Sequence, residues 1–101
     1  MVIEFSVDIV TGPADAPIVK GRCLKGPIKL GDVFSSTYTF DDRRSETPTR
    51  VGEFSVSLRV QKMMAYRRYL DEIDEGLTAQ LELVGTGGTE VKSGGILGTS
   101  R

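Results

Sequence analysis

Apolar and polar residues alternate with a period of two along much of the chain, the spacing of strands that bury one face. In "VIEFSVDIV", Ile3, Phe5, Val7 and Ile9 share one face while Glu4, Ser6 and Asp8 share the other, which predicts a strand over about residues 2–9. "TGPADAP", residues 11–17, is rich in proline and reads as a loop. A second strand is expected to begin near Pro17, where β-branched Ile18 and Val19 precede Gly21, a residue that inside a strand marks a bulge or a close backbone approach. "KGPIKLGD" turns at Gly26-Pro27 and again at Gly31-Asp32, with Ile28 and Leu30 on a common face. "VFSSTYTF" predicts another strand with Phe34, Tyr38 and Phe40 on one side.

Residues 41–53, "DDRRSETPTRVGE", are polar and predict an exposed connection. The clearest strand follows in "EFSVSLRV", where Phe54, Val56, Leu58 and Val60 face one way and Ser55, Ser57 and Arg59 the other. One segment departs from this period. Tyr66, Tyr69, Leu70 and Ile73 fit helical spacing, so a short helix over about residues 67–74, stopped by Gly76, is expected there, with an irregular crossing as the alternative. Leu77, Ala79, Leu81 and Leu83 then alternate again, "GTGGTEVKSGG" is a loop, and "ILGTS" is a last short strand. Six or seven short strands punctuated by glycine describe a single all-β domain over residues 1–101, a small closed barrel or a sandwich. The expected core is Ile3, Phe5, Val7, Val19, Leu30, Val33, Phe54, Val56, Leu58, Val60, Leu81, Leu83 and Ile96.

Charge narrows the function. The 13 lysines and arginines against 14 acidic residues leave a net charge of -1, so any nucleic-acid contact must come from a local basic patch. With no histidine, imidazole metal ligands and Ser-His or Cys-His nucleophile pairs are excluded. A lone cysteine, Cys23, excludes an internal disulfide and fits a reducing compartment, so the cytoplasm is the expected location. The start of the chain is no signal peptide, and no stretch reaches the ~20 apolar residues of a membrane helix, so no membrane partner is expected.

Candidate chemistry is sparse. The glycines of residues 84–95 fail the phosphate-loop pattern, because Gly88 is followed by Thr89 and Glu90. Asp71, Glu72, Asp74 and Glu75 lack the spacing of a calcium loop and read as a solvated face. Cys23 reads as a small buried hydrophobe, although basic neighbours in sequence would lower the pKa of an accessible thiol. Basic residues recur at Lys20, Arg22, Lys25 and Lys29, at Arg43, Arg44 and Arg50, and at Arg59, Lys62, Arg67 and Arg68. Brought together beside Tyr66 or Tyr69, two such groups would hold an RNA end or single strand by stacking and phosphate contacts. An ordinary mixed-charge surface is the competing reading.

The order of the pieces resembles the second, β-barrel domain of the translational GTPases, the family that includes elongation factor Tu. "PIVKGRCLKGPIKLGD" follows that family's glycine pattern, with Gly21, Gly26, Gly31 and Asp32 in place and Ala16 or Pro17 standing where the first glycine falls. "VSLRVQKMMAY", "LDEIDEG", "TAQLELVG" and "SGGIL" match its later pieces in order, so the resemblance covers about residues 3–99. It implies a six- or seven-stranded barrel. These 101 residues hold no phosphate-loop motif, so GTP hydrolysis is not expected to carry over and no cofactor is expected. What the resemblance implies instead is a non-enzymatic binding or adaptor module. Its expected partners are tRNA, rRNA, a ribosome-associated protein or a separate GTPase, met through Arg59, Lys62, Tyr66, Arg67 and Arg68. The alternative is a protein-interaction module, self-association included, that binds no RNA.

Overall fold

Period-two alternation builds a ring of antiparallel strands. The computed structural model describes residues 2–41 and 49–99. The strands are β1 (Glu4–Thr11), β2 (Ile18–Lys25), β3 (Ile28–Lys29), β4 (Val33–Asp41), β5 (Thr49–Ala65), β6 (Arg68–Leu70), β7 (Glu72–Ile73), β8 (Thr78–Thr86) and β9 (Ile96–Gly98), with one 3-10 turn at Gly88–Glu90. The main sheet runs β4-β9-β1-β2-β8-β5-β6, and β4 also pairs with β5, so six strands form a ring with β6 attached outside it. β3 and β7 pair separately. The fold is all-β and resembles the expected barrel. No helix among the described residues is long and apolar enough to cross a membrane.

The inward faces of the ring meet in one core that includes Phe5, Val7, Val19, Ile28, Phe34, Leu58, Met63, Leu81, Leu83 and Leu97. Of the residues expected there, Leu30, Val33 and Phe54 are exposed instead. Leu30 sits in the turn before β4, and Asp32 fixes that turn by accepting the Lys29 N–H at 2.8 Å. β4 leaves the turn with Phe34 inward, so its neighbour Val33 faces out. Phe54 lies beyond the reach of β8, which pairs with β5 only from Ser57 to Met64. Residues 49–56 of β5 therefore continue with β4 as an arm that has less of the barrel behind it.

Bulges account for two further departures from simple alternation. The β1–β2 register slips between Val7 and Ile9, so Val10 rather than Ile9 packs against the core. The β5–β8 register slips between Val60 and Lys62, so Val60 and Met63 both face inward and Lys62 is left outside. The helix expected over 67–74 is absent. Tyr66 and Arg67 turn the chain back on itself, and β6 pairs with β5 while β7 pairs with β3. Ile73 is buried by strand pairing rather than by a helical stripe. The connection expected over 41–53 is shorter than its composition suggested, since β4 runs to Asp41 and β5 begins at Thr49. Arg43 and Arg44 lie outside the described residues.

Glu4, expected on the polar face of β1, is buried with a side chain only 4% exposed. The arm covers it. Tyr38 donates its hydroxyl hydrogen to Glu4, and the Arg50 guanidinium lies 3.7 Å from the same carboxylate. Arg50 also reaches Glu53 at 3.3 Å, donates to the Thr99 carbonyl at 3.0 Å and packs 4.0 Å over the Tyr38 ring. Ser36 donates to Glu53 at 2.6 Å. This network ties the arm to β1 and to the end of β9.

Gly21 explains its place in the sequence without a ligand. A Cβ there would overlap the Ser6 carbonyl on the paired strand β1. Gly21→Ala is therefore expected to destabilise the fold by about 2–3 kcal/mol through forced backbone movement. A urea midpoint equal to that of the unaltered protein would contradict this.

Candidate nucleic-acid interface

The β5–β6 hairpin carries most of the basic and aromatic residues singled out from the sequence. Its register pairs Met63 with Leu70, Met64 with Tyr69 and Ala65 with Arg68, leaving Tyr66 and Arg67 as a two-residue loop. Both have positive φ, 54° and 63°, the signature of a type I′ turn whose twist matches that of the flanking strands. Tyr66 is 83% exposed and Tyr69 is 68% exposed. The Lys62 ammonium lies 5.8 Å from the centre of the Tyr69 ring, at the outer limit of a cation–π contact.

A cleft of about 310 Å³ opens beside this hairpin, lined by Leu30, Gln61, Lys62, Met63, Tyr69, Leu70 and Asp71. Leu30 is held there by its N–H, which donates to the Asp71 carbonyl at 3.0 Å. The bulge after Val60 turns Lys62 out toward this side. The cleft thus has apolar and aromatic walls, one ammonium and one carboxylate. Sequence reasoning missed Leu30, Gln61, Met63, Leu70 and Asp71 as its walls, because the β3–β4 turn comes beside β6 only through tertiary folding.

The structure brings Lys62, Tyr66, Arg67, Arg68 and Tyr69 onto one hairpin. Arg59 is separate: it faces out from β5 between Val33 and Val84, about 23 Å from the turn along an extended strand. Three of the other cations are already engaged. Lys25 meets Glu4 at 3.6 Å, Lys29 meets Glu72 at 3.7 Å, and Arg22 donates to the Gly76 carbonyl at 3.3 Å. Arg67 and Arg68 make no ion pair among the described residues.

The remaining candidates have structural roles. The carboxylate of Glu75 accepts the Gly26 N–H at 3.3 Å, and no group of metal-ligating side chains occurs among the described residues. The glycines of 84–95 supply the end of β8, the 3-10 turn and the approach to β9. Cys23 is buried, and that burial, with Glu75 and Asp74 adding to it, pushes its thiol up to about 11. Cys23 is the buried residue its position suggested, and the basic neighbours that would lower an accessible thiol, Lys20, Arg22 and Lys25, are exposed while Cys23 points in. Burial also pushes up Tyr38, helped by its bond to Glu4. Both groups favour the protonated form in the folded chain. The stability that Cys23 contributes is complete below pH 9, the ordinary thiol value, and is lost as pH rises through about 11, while the contribution of Tyr38 is lost only at higher pH. Urea midpoints are expected to fall above pH 9, less steeply in Cys23→Ala; identical profiles would contradict the assignment to Cys23.

No protein-family model matches the chain, and no curated protein matches it by sequence. Among solved structures it is similar to translation elongation factor SelB from Methanococcus maripaludis in its apo form, with a TM-score of 0.73 and 16% identity. The match covers 99% of this chain and 19% of the longer one. The order of glycines and strands had pointed to a translation-factor barrel, and the fold of this chain is that of an elongation-factor β-barrel domain.

Proposed function

We propose that this chain is a non-enzymatic binding module that works with the translation apparatus in the cytoplasm and holds single-stranded RNA, such as a tRNA end or an rRNA loop, on the β5–β6 hairpin. The observation that carries this reading is the β5–β6 hairpin, on which exposed Lys62 and Tyr69 line a partly apolar cleft, Tyr66 and Arg67 form the exposed turn, and Arg68 follows it. Aromatic faces stack on unpaired bases, and neighbouring cations contact phosphates. The buried polar residues Glu4, Ser36 and Thr37 are engaged in bonds that hold strands together, which supports a binding rather than a catalytic role. The test is a gel shift with tRNA and with a single-stranded oligoribonucleotide at low salt. Binding by the unaltered protein, weakened in Arg67→Glu/Arg68→Glu, is the expected result; no binding to either RNA would sink the proposal.

A second reading is favoured by the arm, where Phe40, Val51 and Phe54 are exposed beside a cleft of about 300 Å³. In that reading the module docks a protein, a separate GTPase or another copy of itself. Affinity purification after nuclease treatment separates the two, because a protein captured through the arm survives the nuclease and one bridged by RNA does not.

A further inference from the structure

We infer that the Tyr66–Arg67 turn is a strained contact tip, in which the two side chains best placed to touch RNA occupy backbone positions that disfavour them. The contact part of this inference rests on the proposed function, while the strain part stands alone. A type I′ turn requires positive φ at both central residues and is relaxed by Asn-Gly. Here tyrosine and arginine fill those positions at φ 54° and 63°, where the Cβ of an ordinary residue crowds the following carbonyl.

Side-chain packing in the free protein does not offset this. Tyr66 is 83% exposed, Arg67 is exposed, and neither aromatic nor ionic partners hold them among the described residues. The turn persists because the strands on either side determine it: Met63 is buried in the core, Leu70 packs against that core, and Ala65 pairs with Arg68. Strained residues that gain nothing locally are found where they meet a ligand. The same pairing fixes the direction in which both side chains project, so the tip is ordered before it meets its partner.

The test compares the unaltered chain with Tyr66→Asn/Arg67→Gly and with Arg67→Lys, reading thermal unfolding and binding to a single-stranded oligoribonucleotide. Tyr66→Asn/Arg67→Gly is expected to melt roughly 4–8 °C higher, the shift that a stabilisation of about 1 kcal/mol gives a domain of about 100 residues. It should also bind RNA at least tenfold more weakly. Arg67→Lys keeps the charge and the strained backbone, so it should match the unaltered protein in both measurements. An unchanged or lower melting temperature for Asn-Gly would overturn the strain, and a higher one with full RNA affinity would overturn the contact role. If the unaltered chain binds no RNA while Asn-Gly still gains stability, the proposed function fails and the strained turn stands.

Discussion

Replacing Arg50 with methionine is expected to lower the stability of the fold by about 3–5 kcal/mol, the range for breaking a buried ion pair from one side. Methionine keeps much of the aliphatic bulk and removes the guanidinium. That guanidinium, on a side chain 9% exposed, serves Glu4, Glu53, the Thr99 carbonyl and the Tyr38 ring together. Without it, Glu4 retains the Tyr38 hydroxyl and a Lys25 ammonium whose own side chain is largely in water. A total stability of about 5–15 kcal/mol is typical of such a domain, so the loss is a large part of the whole. Lys25→Ala should cost less than about 1 kcal/mol, because that lysine's charge is solvated in either state. Urea unfolding of both variants checks the contrast, and equal losses would show that the network does not centre on Arg50.

The sequence made the strands legible because a period of two is a local property. Gly21 marked the close approach of β2 to β1, Gly26, Gly31 and Asp32 located the turns of the β2–β4 region, and most of the core faces of β1, β2, β5 and β8 followed from alternation. What stayed hidden depends on a partner strand. The slips at Asp8 and Gln61 each move one side chain between faces, and they arise only when β1 meets β2 and β5 meets β8. Glu4 looked polar and exposed because nothing in residues 2–9 announces that Tyr38 and Arg50 will cover it. The helical spacing of Tyr66, Tyr69, Leu70 and Ile73, which suggests a short helix with an irregular crossing as its alternative, is a coincidence, and the turn between β5 and β6 lacks the glycine that would mark it.

The candidate site was partly legible for a related reason. Tyr66, Arg67, Arg68 and Tyr69 are close in sequence, so any fold leaves them near one another. Grouping Arg59 with them assumed a compact segment, and an extended β5 carries it away from the turn. Leu30 was assigned to the core by its apolar character, whereas the turn before β4 leaves it beside the hairpin cleft.

Charge reversal at the hairpin carries the second large effect. If Lys62, Arg67 and Arg68 each neutralise one phosphate of a single strand, the logarithm of the binding constant should fall with the logarithm of salt with a slope of about -2. Arg67→Glu/Arg68→Glu removes two of those contacts and sets two carboxylates against the phosphates. Affinity at low salt should drop roughly 100-fold and the slope should shrink to below about -1 in magnitude. Arg59→Glu, about 23 Å from the turn along the strand, should change affinity several-fold at most. Fluorescence anisotropy across a salt series reads all three, and an Arg59→Glu loss as large as that of the double reversal would move the interface off the hairpin.

The most direct measurement of where this module binds is an NMR titration of backbone amides with a single-stranded oligoribonucleotide. RNA held as proposed predicts shift changes concentrated at residues 61–71 and at Leu30, with the arm residues Phe40, Val51 and Phe54 unmoved; changes confined to the arm, or none at any RNA concentration, would contradict it.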